Sequence, residues 1–525
     1  MKRAQIAPAS LVVFSVTLFA LYTQIAWEDW WTAFRSARNL AVGFGPVFTP
    51  GEPVQSFSSP LLVLIAAAVT WLTGDTSGMA ALWTVRALAA LALAAAVALL
   101  LDTARALRAT PAHCAVLVAL IAVDAKTLGF ATAGMESAFD VLSVALTLHA
   151  LLRTRNSFQL GAGWAALMWT RPDGFIRAGA LALGCVLFRP VPGTPRQILR
   201  AAPVTALLYL PWFAFAWLYY GSPVPNSVLA KSVALSSTPP WNALADYPLR
   251  LVAAPLFRDL TFLPAYHDVG GWPAWVAPLA LLTPIAALAW VVPGVSRELR
   301  AVSLAFMAAH FYIRVFTPQA PWYFPSTCVM GYFTGVLALR DSERVRWPAV
   351  RTTSLAAAWA FVLLSAAATV ASAHQLRHAQ QLIEDGNRKQ VGLWLAANAA
   401  PRDTVFLEPV GYIGFYSQLK TFDFPGITSR EVVAARRRLA APGLTQGVEW
   451  SRLINELRPT WVVLRPHEEA LVSGAAPGLL TGVYRRTADF DVTRQVKTVP
   501  GIPGRALLEA DQRFLVFRRN LLDKR

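Results

Sequence analysis

Long apolar runs alternate with short, arginine-bearing polar stretches through the first 370 or so residues. Most of the runs approach the length a helix needs to cross roughly 30 Å of hydrocarbon. The pattern predicts spans at about 7–26, 79–101, 113–130, 136–152, 159–171, 174–189, 200–220, 273–293, 300–316, 324–340 and 353–373, about eleven TM helices. The short pair 159–171 and 174–189 reads equally as a broken hairpin, which widens the range to about 10–13. One further apolar segment, PLLVLIAAAVTWLT at 60–73, is short for a span. Counting it as one puts Arg105 and Arg108 outside, against the bias of basic residues toward the cytoplasm. It is therefore predicted to lie on the outer surface.

The same bookkeeping orients the chain. Lys2 and Arg3 precede the first helix, and Arg153, Arg155, Arg189, Arg196, Arg200, Arg297, Arg300, Arg340, Arg344, Arg346 and Arg351 collect on one side. These residues predict a cytoplasmic N-terminus and an extracytoplasmic C-terminus. Near residue 374 the pattern changes. HQLRHAQQLIEDGNRKQVGLWLAANA has helical apolar spacing, while DTVFLEP, PTWVVLRP and RFLVFRR read as short strands bounded by proline or charge. The expected architecture is a polytopic α-helical membrane protein, residues 1–373, with a first external loop at 27–78. Residues 374–525 form a C-terminal extracytoplasmic α/β domain.

Composition fits that class: 55% hydrophobic residues, 15% charged, mean hydropathy +0.45. The net charge of +17 comes largely from arginines of the predicted cytoplasmic loops together with the last domain, so nucleic acid is not an expected partner. Cys114, Cys185 and Cys328 lie within apolar segments without pairing or metal spacing and read as inert thiols. The N-terminal segment has no small-residue cleavage pattern and reads as an uncleaved helix. The soluble region has no Walker motif, no glycine-rich nucleotide fingerprint and no metal-ligand spacing. Its run Arg436-Arg437-Arg438 reads as a solvated helix face.

Candidate chemistry begins where the first span ends. Glu28 and Asp29 open the loop WEDWWTAFRSARNLAVGFGPVFTPGEPVQSFSSP at headgroup height, where acids are costly without a task. Transfer of a sugar from a polyprenyl-phosphate carrier needs a carboxylate at that depth. The phosphate is already a good leaving group, so the step needs one base on the acceptor hydroxyl and cations on the departing phosphate. Displacement by a single base inverts the anomeric centre. Adjacent residues on a helix point about 100° apart, so Glu28 and Asp29 are expected to differ in task. Arg35, Arg38, Lys231, Arg171, His310 and Arg314 are candidate cations for phosphate. All but Lys231 have a stated alternative: Arg35 and Arg38, if not phosphate-binding or loop-ordering, as snorkelling groups, Arg171 as the partner of Asp173, and His310 with Arg314 lining a wet cavity. No cofactor is required beyond the lipid-linked donor, and no metal site is identifiable, although the acid pair leaves a divalent ion open. Transport or lipid flipping, and inactive glycan binding, are the competing functional classes.

Several motifs recur in collinear order. They are Glu28-Asp29, Phe34-Arg35, Arg38-Asn39-Leu40, Gly43 and Gly45, Pro50-Gly51-Glu52, Ser59-Pro60-Leu61, Gly134-Met135-Glu136-Ser137, Arg171-Pro172-Asp173-Gly174, and Tyr220 through Asn226 with Lys231; GYIGFYSQLKTFDFPGIT follows. Together they resemble bacterial GT-C glycosyltransferases, in particular those similar to the mycobacterial terminal arabinofuranosyltransferase family. The resemblance implies a GT-C-like fold, a polyprenyl-phosphate sugar as donor, and a glycan, lipid or protein acceptor. It also implies residence in the bacterial inner membrane in contact with membrane lipid. It makes Asp29 the base, Glu28 a second site residue, and Asn226 a donor-binding residue beside Lys231. Glu28 stands where that family usually has Asp, Thr49 where Asn is common, and Trp322-Tyr323-Phe324-Pro325 replaces an arginine-bearing pattern, so the sugar is left open.

Overall fold

The computed structural model describes residues 3–237, 241–441 and 443–520. Lys2 and residues 521–525, which end the predicted soluble domain, lie outside the described residues. The chain divides into two compact units, each assembled from three separate stretches.

The first unit comprises Met1–Gln24, Trp83–Ala214 and Pro240–Gln375. Its helices are α1 (Arg3–Thr23), followed beyond two helices of the second unit by α4 (Met79–Ala106), α5 (Pro111–Ala122), α6 (Ala125–Thr132), α7 (Ser137–His149), α8 (Ser157–Thr170), α9 (Gly174–Phe188) and α10 (Thr194–Tyr220). After α11 of the second unit come α12 (Trp241–Val252), α13 (Leu282–Leu288) within the helical stretch Ala274–Val291, α14 (Arg297–Phe316), α15 (Pro325–Ser342) and α16 (Pro348–His378). All eleven predicted spans are helical. Six helices are long and apolar enough to cross a membrane, or seven if the bent pair α5 and α6, which meet at 47°, forms one span. The other four predicted spans, α7, α8, α9 and α15, are helices of 13, 14, 15 and 18 residues.

The second unit comprises Ile25–Leu82, Phe215–Pro239 and Leu376–Arg525. The first stretch supplies α2 (Glu28–Ala41) and α3 (Pro60–Thr73), and the second supplies α11 (Asn226–Ser237). The third carries α17 (Lys389–Asn398), β1 (Thr404–Leu407), α18 (Val410–Ser417), β2 (Lys420–Asp423), α19 (Arg430–Leu439), α20 (Gln446–Leu457), β3 (Trp461–Leu464), α21 (Pro466–Ala475), β4 (Tyr484–Asp491), α22 (Thr493–Thr498), α23 (Ala506–Ala510) and β5 (Arg513–Arg519). The strands form one sheet in the order β2-β1-β3-β5-β4, parallel from β2 to β3 and antiparallel beyond.

The strand β3 is buried at every position, as expected of a central strand covered on both faces. One face packs Phe406, Val462 and Leu464 against Trp450, Leu453 and Val472. The other packs Val405, Leu407 and Val463 against Val391, Leu395 and Ile413, and Phe48 of the first loop completes that core. An aromatic side chain from residue 48 is thus built into a sheet whose first strand begins at residue 404. Arg436 departs from the expected solvated face. It is 4% exposed, pairs with Glu449 at 2.7 Å, and donates to the carbonyls of Ala230 and Pro425.

Candidate functional site

The helix α2 starts at the acid pair. Glu28 and Asp29 occupy its first turn, where carboxylates complement the exposed N–H groups and the positive end of the helix dipole. Both are half-buried. Its apolar positions Trp30, Trp31, Ala33, Phe34 and Ala37 are buried. Trp31 stacks among Tyr412, Phe415 and Tyr416 of α18, with ring centroids 5.2, 4.7 and 5.3 Å away. Phe34 meets Phe415 at 5.5 Å.

Around that contact, α2 holds α18 by both ends. The Glu28 carboxylate accepts from the N–H of Gly411 at 2.7 Å and of Tyr412 at 3.4 Å, in the first turn of α18. Gly411 permits this approach, since a Cβ there would lie 2.0 Å from the Glu28 carbonyl oxygen. At the other end the Arg35 guanidinium donates to the carbonyls of Gly414, Gln418 and Leu419 at 2.7, 3.0 and 3.1 Å and lies 4.1 Å from the Phe48 ring centroid. Arg38 reaches Gln418 and Asn39, and Asn39 donates to the carbonyls of Val47 and Phe48. An acid at the N-terminus and a cation at the C-terminus match the dipole of α18. The R-x-x-R-N sequence that suggested phosphate binding therefore builds the joint between the loop helix and the sheet.

Arg388, which sequence reading missed, closes the other side of Glu28 at 3.2 Å. It also pairs with Glu384 at 2.8 Å and with Asp511, and Asp511 pairs in turn with Arg465. Arg465 completes its shell with Glu468 at 2.5 Å and Glu408 at 2.8 Å. Burial pushes the Glu28 carboxyl above its ordinary range, opposed by Arg388 and the two N–H groups. Burial opposes ionisation of Asp511 as well, but two arginines hold its carboxyl down at about 2. Burial, with Arg38 alongside, draws the Arg35 guanidinium down to about 9.

Asn226 also has a structural task. Its side-chain amide donates to the carbonyls of Gly426 and Ile427 at 2.7 and 3.1 Å. Asp423 orders the same loop by accepting from the N–H groups of Gly426, Ile427 and Thr428. Lys231 follows on α11, half-buried.

Arg171, His310 and Arg314 belong to the first unit. Arg171 pairs with Glu136 and Asp173, each at 3.0 Å, and Arg177 joins Asp173 to Asp140. This is the mutual satisfaction that sequence reading offered as the alternative to a site. His310 Nε2 meets Asp259 at 3.1 Å, its Nδ1 pairs with the Tyr247 hydroxyl at 3.0 Å, and Arg314 lies 3.7 Å from Asp259. The buried Lys126 donates to the carbonyls of Leu260 and Thr261. Among the described residues, no group of three or more His, Cys, Asp or Glu is arranged to hold a metal ion.

Helices of this length and apolarity, with a loop helix docked on an α/β sheet, define a multi-pass membrane protein of the GT-C fold. Solved structures carry the same architecture. ArnT from Cupriavidus metallidurans, bound to undecaprenyl phosphate, matches with a TM-score of 0.52 and 12% identity over 98% of each chain. The archaeal oligosaccharyltransferase AglB from Archaeoglobus fulgidus, in complex with an inhibitory peptide and a dolichol-phosphate, matches with a TM-score of 0.54 and 13% identity, over 94% of this chain and 74% of that one. In sequence, the chain is 30% identical over 253 residues to the terminal β-(1→2)-arabinofuranosyltransferase of Mycobacterium tuberculosis. That alignment covers 42% of this chain and only 38% of the relative's length. Residues 373–517 match a family model described as a domain of unknown function, DUF8728.

Proposed function

We propose that the protein is an integral-membrane glycosyltransferase that moves a sugar from a polyprenyl-phosphate carrier to an extracytoplasmic glycan, lipid or protein, with inversion and with Asp29 as the base. One observation carries the division of labour. The Glu28 carboxylate is engaged by two backbone N–H groups and Arg388, which gives it a positioning task, while Asp29, the acid that the resemblance makes the base, takes the proton of the acceptor hydroxyl. Two proteins of the same fold, one bound to undecaprenyl phosphate and one to a dolichol-phosphate, support a lipid-linked donor. In this reading the eleven spans place the N-terminus in the cytoplasm of a bacterium and residues 374–525 outside its inner membrane. Lys231, in the same unit as Asp29, is the cation proposed for the donor phosphate.

The test is Asp29→Asn in proteoliposomes supplied with polyprenyl-phospho-sugars and glycan acceptors. A lost general base costs about 10²–10⁴-fold in turnover, with donor binding retained. Full transfer by Asp29→Asn sinks the assignment. Mass analysis of the purified protein for a co-purifying polyprenyl-phospho-sugar names the donor.

A further inference from the structure

In the α/β unit, β1 has β2 on one side and β3 on the other, and the chain visits both after leaving β1. Open α/β sheets bind ligands just beyond the carboxyl ends of their parallel strands, at such a reversal of strand order. Here β1 ends at Leu407 and α18 starts at Val410, so the first turn of α18 stands at that position. The group found there is the side chain of Glu28, held at 2.7 Å by the Gly411 N–H, at 3.4 Å by the Tyr412 N–H and at 3.2 Å by Arg388. Gly411 leaves the space for it, because a Cβ would also come within 3.0 Å of the Glu28 carboxyl carbon. Arg388 is itself steadied by Glu384 and Asp511. Backbone N–H groups, a guanidinium and a missing side chain together make a carboxylate receptor.

We infer that the α/β unit carries a carboxylate slot formed by Gly411, Tyr412 and Arg388, that Glu28 is its resident ligand, and that filling it sets the direction of Asp29. Gly411 and Arg388 are then positioning residues for transfer. The slot explains why an acid precedes Asp29 in the same turn: one acid is seated so that the next is aimed. The inference rests on the proposed role of Asp29 for its link to catalysis, whereas the slot itself rests on geometry alone.

Removing the ligand and returning it in trans tests both parts. Glu28→Ala empties the slot at the size of a small carboxylate. A misaimed base loses about 10–100-fold in turnover, with the donor KM little changed. Sodium acetate then restores turnover to Glu28→Ala, whereas sodium chloride at equal ionic strength does not. Arg388→Met in the same background abolishes the acetate effect. Where Glu28→Ala does not yield a monodisperse protein, Glu28→Gln keeps an acceptor for the Gly411 N–H, loses the charge facing Arg388, and is expected to fall between wild type and Ala in kcat. Wild-type turnover in Glu28→Ala, or lost turnover to which acetate and chloride are indifferent, overturns the proposal. Activity in Asp29→Asn instead marks failure of the functional reading. The slot is then decided by thermal denaturation, with acetate expected to raise the Tm of Glu28→Ala but not of wild type; no such rise overturns it.

Discussion

Arg35→Met separates two tasks, loop ordering and donor-phosphate binding, that the sequence does not tell apart. If Arg35 orders the joint, the substitution takes the guanidinium away from three carbonyls at the end of α18, of which those of Gly414 and Leu419 keep another donor, while a chain of similar length still covers Phe48. Hydrogen bonds to a charged group contribute about 1.5–3 kcal/mol each, which for three bonds sets an upper bound of about 4.5–9 kcal/mol. The guanidinium is 1% exposed, so part of that is offset by the cost of having taken it out of water. A net loss of about 3–5 kcal/mol follows. For a cooperative unit of this size, about 2–4 °C of Tm accompanies each kcal/mol, so the purified variant should melt roughly 6–20 °C below wild type. Thermal denaturation in detergent, read by intrinsic tryptophan fluorescence, is well placed because Trp31 packs on α18 at the joint. If Arg35 bound donor phosphate instead, the variant would melt with wild type and lose donor affinity. A Tm within 2 °C of wild type refutes the structural assignment.

Two further outcomes follow from the buried pairs. Asp511 titrates at about 2 in the folded chain against an ordinary 3.8, so the stability it contributes is present above the ordinary value and lost as pH falls through the folded one. Asp511→Asn should therefore cost roughly 2–3 kcal/mol at pH 7, a gap between variant and wild type that narrows toward pH 3 in denaturation profiles. A constant gap from pH 7 to pH 3 would contradict it. In the first unit, Asp259→Asn strips His310 and Arg314 of their shared acid, a loss of about 3–5 kcal/mol for a buried set. Its check is whether the variant still elutes as a folded species after mild heating, and wild-type tolerance would count against the pairing.

The sequence was readable where local pattern decides the structure. Every predicted span is helical, and for the six helices of hydrocarbon length this is the way an apolar run satisfies its backbone in lipid. The strands at 404–407, 461–464 and 513–519 stood out through short apolar runs bounded by proline or charge. The strand β4 did not, because YRRTADFD lies at the sheet edge, mostly exposed, and carries no apolar run. β2, inside SQLKTFDFPG, has only the four residues KTFD and does not stand out from the motif around it. The site was legible in residue type and not in partnership. Periodicity reports which face of α2 is apolar, yet it cannot report that Glu28 meets a guanidinium 360 residues later. For the same reason Arg35, Arg38 and Asn226 were legible as important polar residues, while the carbonyls they serve were not.

The three-stretch make-up of the second unit has a consequence for when the protein can finish folding. Residues 25–82 leave the ribosome first, but the sheet that needs Phe48 and the helix that needs Glu28 and Arg35 do not exist until after Leu376. At about 5–20 residues per second, the ~290 residues in between take on the order of 15–60 s to synthesise. During that interval Trp31 and Phe34 have no α18 to cover them. The early loop helix meets its partner only after that interval. Translation speed across the intervening helices therefore bears on the yield of native protein.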